Sequence, residues 1–227
     1  MLARHTAREL LMAYKLRSGV SYVWVGSAPV FLDLDHNRYF KMSSSGASAL
    51  MRLEQGQMAM PGDAEILLGS GLISAADCAS PVGPTGSMPE ITGSYFDQAR
   101  PPTLRHVMVA IIDQLWAFAM IRWGGLAGAV AKLEHRIQQS RGLECPDDIG
   151  RLVGAYRLID LILSAEKRCL VRSFALAISL TRYHVGFNLV IGVRTGPFGA
   201  HCWIQKDQIS VSDHRDKASE YVPVLIL

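Results

Sequence analysis

The period of the apolar residues changes once in the C-terminal half of the chain, and that change restricts the fold more than any other feature. Residues 103–123, 126–139 and 147–166 each carry apolar side chains at three- and four-residue intervals, the spacing that gives a helix one apolar face. Leu170, Val171, Phe174, Ala177 and Ile178 carry the pattern into a fourth helix that begins near Cys169. Beyond it come short extended runs at 186–193 (GFNLVIGV), 200–205 (AHCWIQ) and 209–213 (ISVSD), with TGPFG and Lys206-Asp207-Gln208 as turns. Helices in one block followed by an antiparallel sheet in the next predict an α+β domain.

A smaller pattern lies upstream. Residues 21–25 (SYVWV), 29–34 (PVFLDL) and 38–42 (RYFKM) are extended runs separated by Gly26-Ser27 and Asp35-His36-Asn37, residues that tolerate the backbone angles of tight turns. They predict a small antiparallel sheet. The next stretch puts Ala47, Leu50, Met51 and Leu53 near helical spacing, with a serine to cap its start and Gly56 to stop its end. Pro61 then takes a favoured first helical position, and the acids of DAEILL fall in the opening turn before Gly69 and Gly71 break the run. From Cys78 to Pro102 the periodic apolar residues disappear, and Pro81, Pro84, Pro89, Pro101 and Pro102 stand among glycines and serines. That is linker composition. The expected organisation is a domain over 1–80, a linker over 81–102 and a second domain over 103–227, with no internal repeat.

With 227 residues, 49% of them apolar and 19% charged, the chain has ample core for one large or two small domains. Its net charge of +3 is far from the strongly basic balance of nucleic-acid binders. The N-terminal stretch is interrupted by Arg4, His5, Arg8, Glu9 and Lys15 and so lacks the apolar core of a signal peptide, which predicts a cytoplasmic protein. The greasiest segment, 107–121, carries Asp113 and Gln114 and is flanked by Arg105 and Arg122. It falls short of the roughly 20 apolar residues of a membrane span and reads as a buried core helix. The four cysteines, Cys78, Cys145, Cys169 and Cys202, show no paired spacing and are expected as free thiols. No metal-ligand spacing and no phosphate-binding glycine loop occurs, so neither a metal nor a nucleotide cofactor is expected in this chain.

Cys169, His201 and Asp213 are the candidate reactive group. A cysteine nucleophile reacts as the thiolate, which a helix N-terminus and a nearby imidazolium both favour, while a third group fixes the imidazole. Cys169 stands where the fourth helix begins, behind Lys167 and Arg168. A three-residue hairpin loop at Lys206, Asp207 and Gln208 puts His201 opposite Asp213 and Trp203 opposite Val211, on one face of the sheet. Strand alternation turns Cys202 to the other face, into the core. Residue types and order alone leave a second reading open, in which Cys169 is a small buried hydrophobe and His201 and Asp213 are an ion pair at a sheet end.

The segments CLVRSFALAISL from Cys169, LVIGVRTGPFGAHCW up to Trp203, and the acid at Asp213 resemble the C-terminal peptidase of lasso-peptide biosynthesis B proteins. In 30–43 the chain (VFLDLDHNRYFKMS) resembles the PqqD-like peptide-recognition element that this family carries fused or separate. The resemblance implies a winged-helix-like N-terminal domain and a papain- and transglutaminase-like C-terminal one. It implies a cysteine leader peptidase with Cys169 as nucleophile, His201 as base and later acid, and Asp213 as orienting carboxylate. The resemblance further implies the precursor's leader as substrate and an asparagine-synthetase-like macrolactam synthetase as the partner and the user of ATP. Where the family has a glutamate after the histidine strand, this chain has Gln205.

Residues 21–80 carry three basic side chains against six acidic ones, which disfavours a phosphate backbone as ligand. An extended peptide can add to an exposed strand edge instead. Arg38, Tyr39, Phe40, Lys41 and Met42 form the expected docking strand, with one of the two rings turned inward. Two other functions share these features: a transglutaminase-like acyltransferase, in which an amine resolves the thioester, and a non-catalytic peptide-binding adaptor.

Overall fold

The computed structural model describes residues 13–56, 62–76, 82–139, 146–162 and 168–227. The chain divides between Thr85 and Gly86 into two compact units.

In the first unit, β1 (Ala13–Leu16) is followed by β2 (Val20–Val25), β3 (Ala28–Asp33) and β4 (Arg38–Lys41), then helices α1 (Ser44–Glu54) and α2 (Asp63–Gly69) and strand β5 (Ile73–Ala76). Strands β2, β3 and β4 form the expected antiparallel sheet in that order. Gly26 and Asn37 take left-handed angles in its two turns, at φ 63° and 50°. The Ser43 hydroxyl accepts from the Gly46 amide and caps α1. Tyr22 stacks on Phe31 at 5.0 Å in a core shared with Leu50 and Leu67. A bidentate pair from Arg52 to Asp63, at 2.8 and 2.7 Å, ties α1 to α2. Strand β1 pairs antiparallel with β5, a long-range ladder that local periodicity does not announce. Pro61, Cys78 and Cys145 lie outside the described residues.

The second unit contains β6 (Gly93–Ser94), α3 (Leu104–Gln139), α4 (Pro146–Asp160), α5 (Cys169–Arg182), β7 (Asn188–Arg194), β8 (Gly199–Lys206), β9 (Ile209–Ser210), α6 (Arg215–Ser219) and β10 (Val222–Ile226). The sheet order is β10-β7-β8-β9-β6, antiparallel except where β6 runs parallel to β9. The helices-then-sheet order is as expected, and the end of the sequence adds α6 and an outer strand, β10. Helix α3 breaks at Gly125, whose φ of 69° is left-handed, where the periodicity had separated two helices. Helix α5 is buried continuously from Arg172 to Thr181, as befits an element packed on several sides.

The boundary between the two units falls inside the expected linker. Val82 packs in the first unit's core and the Thr85 amide donates to the Tyr22 carbonyl. Further on, Tyr95 donates to the Ser210 carbonyl and Arg100 to that of Gly150, at 2.8 and 3.0 Å. Main-chain bonds hold this segment, so it needs no periodic apolar residues. One expectation is corrected: the 107–121 stretch is helical, but its buried face carries Ala110, Ala117 and Met120 beside polar residues, and most of its large apolar side chains turn outward. Met108, Ile112, Leu115, Trp116 and Phe118 are exposed, while His106, Asp113 and Gln114 are buried. Asp113 takes the inner face because Ser179 and Arg182 of α5 meet its carboxylate, each at 2.6 Å, and buried charge needs such partners. By length and composition alone, Leu104–Gln139 is long and apolar enough to cross a membrane.

Candidate active site

Cys169 is the first residue of α5, and Arg168 before it makes no side-chain cap, so the thiol stands at the N-terminal end of the helix. Strand β8 meets it from the side. The His201 ring and the backbone amide of Cys202 stand beside the Cys169 sulfur and favour its thiolate. One turn along α5, the Ser173 hydroxyl donates to the Cys202 carbonyl at 2.7 Å. Helix start and strand edge are thus fastened to each other through the Cys202 carbonyl.

His201 is 4% exposed and pairs across the ladder with Gly192 of β7. Its ring lies between Trp203, at a centroid distance of 6.1 Å, and Tyr221, at 5.3 Å. Gly192 makes that sandwich possible, since a Cβ there would come within 2.6 Å of the Trp203 ring. The Nε2 atom stands 3.3 Å from Asp213 Oδ2, an ion-pair distance without the alignment of a hydrogen bond. That leaves Nδ1 for the thiol.

The pairing of β8 with β9 differs from the expected register. Lys206 faces Ile209 and Gln205 faces Ser210, so the turn has two residues, with Asp207 in the left-handed region at φ 51°. Trp203 does not face Val211; the Val211 amide bonds to Ile204 at 2.8 Å. Asp213 still reaches His201 because the ladder ends at Ser210 and the chain bends. The Ser212 hydroxyl accepts from the Ile204 amide at 2.9 Å and donates to Asp213 Oδ2 at 2.7 Å. Ser94 Oγ donates to the Asp213 carbonyl at 2.8 Å.

The electrostatics suit an ion pair of thiolate and imidazolium. Burial pushes the Cys169 thiol up, but the His201 hydrogen bond and charge and the Cys202 amide outweigh it, and the net shift is downward. Burial pushes His201 down, and Asp213 and Cys169 together raise it above the ordinary imidazole value. For Asp213, burial is overcome by the adjacent His201 imidazole and the charge of Arg172, which lower the carboxyl to about 2. Cys202 is fully buried in the core as expected, and burial raises its thiol well above the ordinary value. Its side chain is therefore inert while its backbone serves the site. Among the described residues, no cluster of three or more His, Cys, Asp or Glu side chains is placed to hold a metal ion.

Arg172, Ser173 and Ser212 escaped the sequence reading. The one signal for them was Arg172 itself, a charge inside the otherwise uncharged helix segment 170–180, where an unpaired arginine is not tolerated.

In the first unit, β4 is an edge strand. Arg38, Phe40, Lys41 and Met42 line a groove of about 650 Å³ together with Ile66 and Leu72. Phe40 is the ring turned inward onto the core, with the Arg38 guanidinium 4.5 Å above it. Tyr39 pairs with Leu32 along the sheet and is not part of the groove lining.

Residues 109–226 match the family described as the Transglutaminase-like superfamily. No curated protein and no solved structure matches the chain.

Proposed function

The chain belongs to the transglutaminase-like superfamily, and on that premise we propose that it is a cysteine peptidase that removes the leader from a ribosomally made lasso-peptide precursor. The observation that carries this reading is a thiol of lowered pKa on the first residue of α5, held by an imidazole that a buried carboxylate backs. The Cys169 thiolate attacks the scissile carbonyl, and His201 gives its proton to the leaving amine as the C–N bond breaks. His201 then takes a proton from water, whose oxygen attacks the thioester and releases the thiol. Asp213 keeps the imidazole oriented through both steps.

The leader lies as an added strand along β4, its side chains entering the groove beside Phe40 and Ile66, in the manner of strand addition to a sheet edge. Holding the leader in the same chain raises the concentration of the cleavage site at Cys169. The reaction takes place in the cytoplasm and needs no cofactor in this chain; an asparagine-synthetase-like cyclase, the ATP-using partner, closes the ring on the freed amine.

Mass spectrometry of a precursor peptide incubated with the chain and its synthetase partner, beside Cys169→Ala, tests the proposal. A leader-sized fragment that disappears in the variant supports it. Equal cleavage in both samples overturns it, and a product joined to an added amine instead of water assigns the acyltransferase chemistry.

A further inference from the structure

Arg172 follows Cys169 by three residues on α5, and only 4% of its surface is exposed. Desolvating a guanidinium is costly unless its donors are met, and here they are met by the loop that bears the active-site carboxylate. Nε donates to Asp160 Oδ2 at the end of α4 at 2.8 Å. Nη1 donates to the Ser212 carbonyl at 2.6 Å and stands 3.9 Å from Asp213 Oδ2. The plane of the group lies over the Phe96 ring, 5.5 Å from its centroid. No regular strand holds residues 211–213, because β9 stops at Ser210. Besides the main-chain bond from Val211 to Ile204, the restraints on this bend come from side chains: Ser94 on the Asp213 carbonyl, Ser212 on Ile204, and Arg172 on the Ser212 carbonyl.

We propose that Arg172 is the positioning residue of this site: by gripping the Ser212 carbonyl and facing the Asp213 carboxylate, it fixes Asp213 as the anion that orients His201. The inference rests on the peptidase reading. It uses the fork geometry of arginine, since one nitrogen takes the α4 carboxylate while another takes the bend. Substrate does not touch Arg172; its influence on the thiol passes through Asp213 and His201.

Alkylation of Cys169 by iodoacetamide as a function of pH, on the full chain and read by peptide mass spectrometry, tests this without a peptide substrate. In the unaltered chain Cys169 is alkylated well below the pH at which an ordinary thiol reacts. R172Q loses the cation and one donor, and its Cys169 reacts about ten-fold more slowly on the acid side, the profile moving about one pH unit upward. R172K keeps the cation but cannot span Asp160 and the Ser212 carbonyl together, and falls between. Profiles of both variants that superimpose on the unaltered chain overturn the proposal, even with a lowered Tm, since Arg172 then serves stability alone. R172K decides the question by itself where R172Q does not fold. An unaltered chain whose Cys169 reacts only as an ordinary thiol overturns the peptidase reading and this inference together.

Discussion

Replacing Gly192 by alanine is expected to damage the site from behind without touching a reactive group. Gly192 sits opposite His201 in the β7–β8 ladder, and the added Cβ would lie 2.6 and 2.8 Å from Trp203 ring atoms and 2.9 Å from the Tyr221 Cβ. Trp203 has little freedom to retreat. It is 2% exposed, its indole donates to Gln205 Oε1 at 3.2 Å, and Gln205 is itself bonded to the Pro89 and Asp207 carbonyls at 2.7 and 2.8 Å. Overpacking of this kind costs about 1–3 kcal/mol. A domain of this size loses roughly 3–4 °C per kcal/mol, so Gly192→Ala should melt roughly 3–12 °C below the unaltered chain in a calorimetric scan. The two rings that flank His201 are the ones displaced, and a shift near 1 Å in a reacting group costs up to about a hundred-fold in rate. Peptide cleavage and Cys169 alkylation should therefore fall together with Tm. A variant that melts within about 1 °C of the unaltered chain and alkylates normally would refute the packing argument.

Three further outcomes are expected. Gly154→Ala should lower Tm of the second unit by at least as much as Gly192→Ala, because its Cβ would lie 2.0 Å from the Arg100 carbonyl, a backbone atom; faster amide exchange at Arg100, which bonds to Gly150, identifies the segment displaced. The pH profile of kcat/KM should be a bell, rising as the Cys169–His201 pair forms below the ordinary thiol value and falling as the raised His201 loses its proton. The Asp213 carboxyl, lowered to about 2 when folded and near 3.9 when unfolded, adds stability that is complete above the unfolded value and lost as pH falls from about 4 to about 2. Urea midpoints across that window should drop less steeply in Asp213→Asn.

Local chemistry made part of this molecule legible. Alternation bounded by Gly26 and Asn37 marked β2, β3 and β4, and the cap at Ser43 and the break at Gly125 stood where serine and glycine announced them. Non-local pairing was hidden. Strands β1 and β5 meet across the whole first unit, and β6 is recognised as a strand only by the edge of β9 that it borders. The hairpin was misjudged because Lys206-Asp207-Gln208 reads equally as three loop residues or as a strand end and a turn. What settles it is that Asp207 accepts a left-handed angle, which an aspartate does at little cost. The outward apolar face of α3 was misread for a similar reason. A pattern reports which residues share a face, whereas the partners of Asp113 on α5 decide which face turns inward.

The early end of β9 is what lets a helix and a sheet build one reactive centre. Along β8, the amides and carbonyls of His201, Trp203 and Gln205 are turned to β7, and those of Cys202 and Ile204 to the opposite edge. A β9 continuing past Ser210 would claim that edge, and α5 could not approach it. With the ladder ended, Cys202 turns its amide toward the Cys169 side and offers its carbonyl to Ser173, while Ile204 is met by the hydroxyl of Ser212. The same alternation sends the Cys202 side chain into the core and the His201 ring to the thiol. The bend that replaces the missing ladder brings Asp213 to His201, and Arg172 holds that bend. A regular strand through 211–213 would have satisfied more backbone groups locally and left the imidazole without its carboxylate.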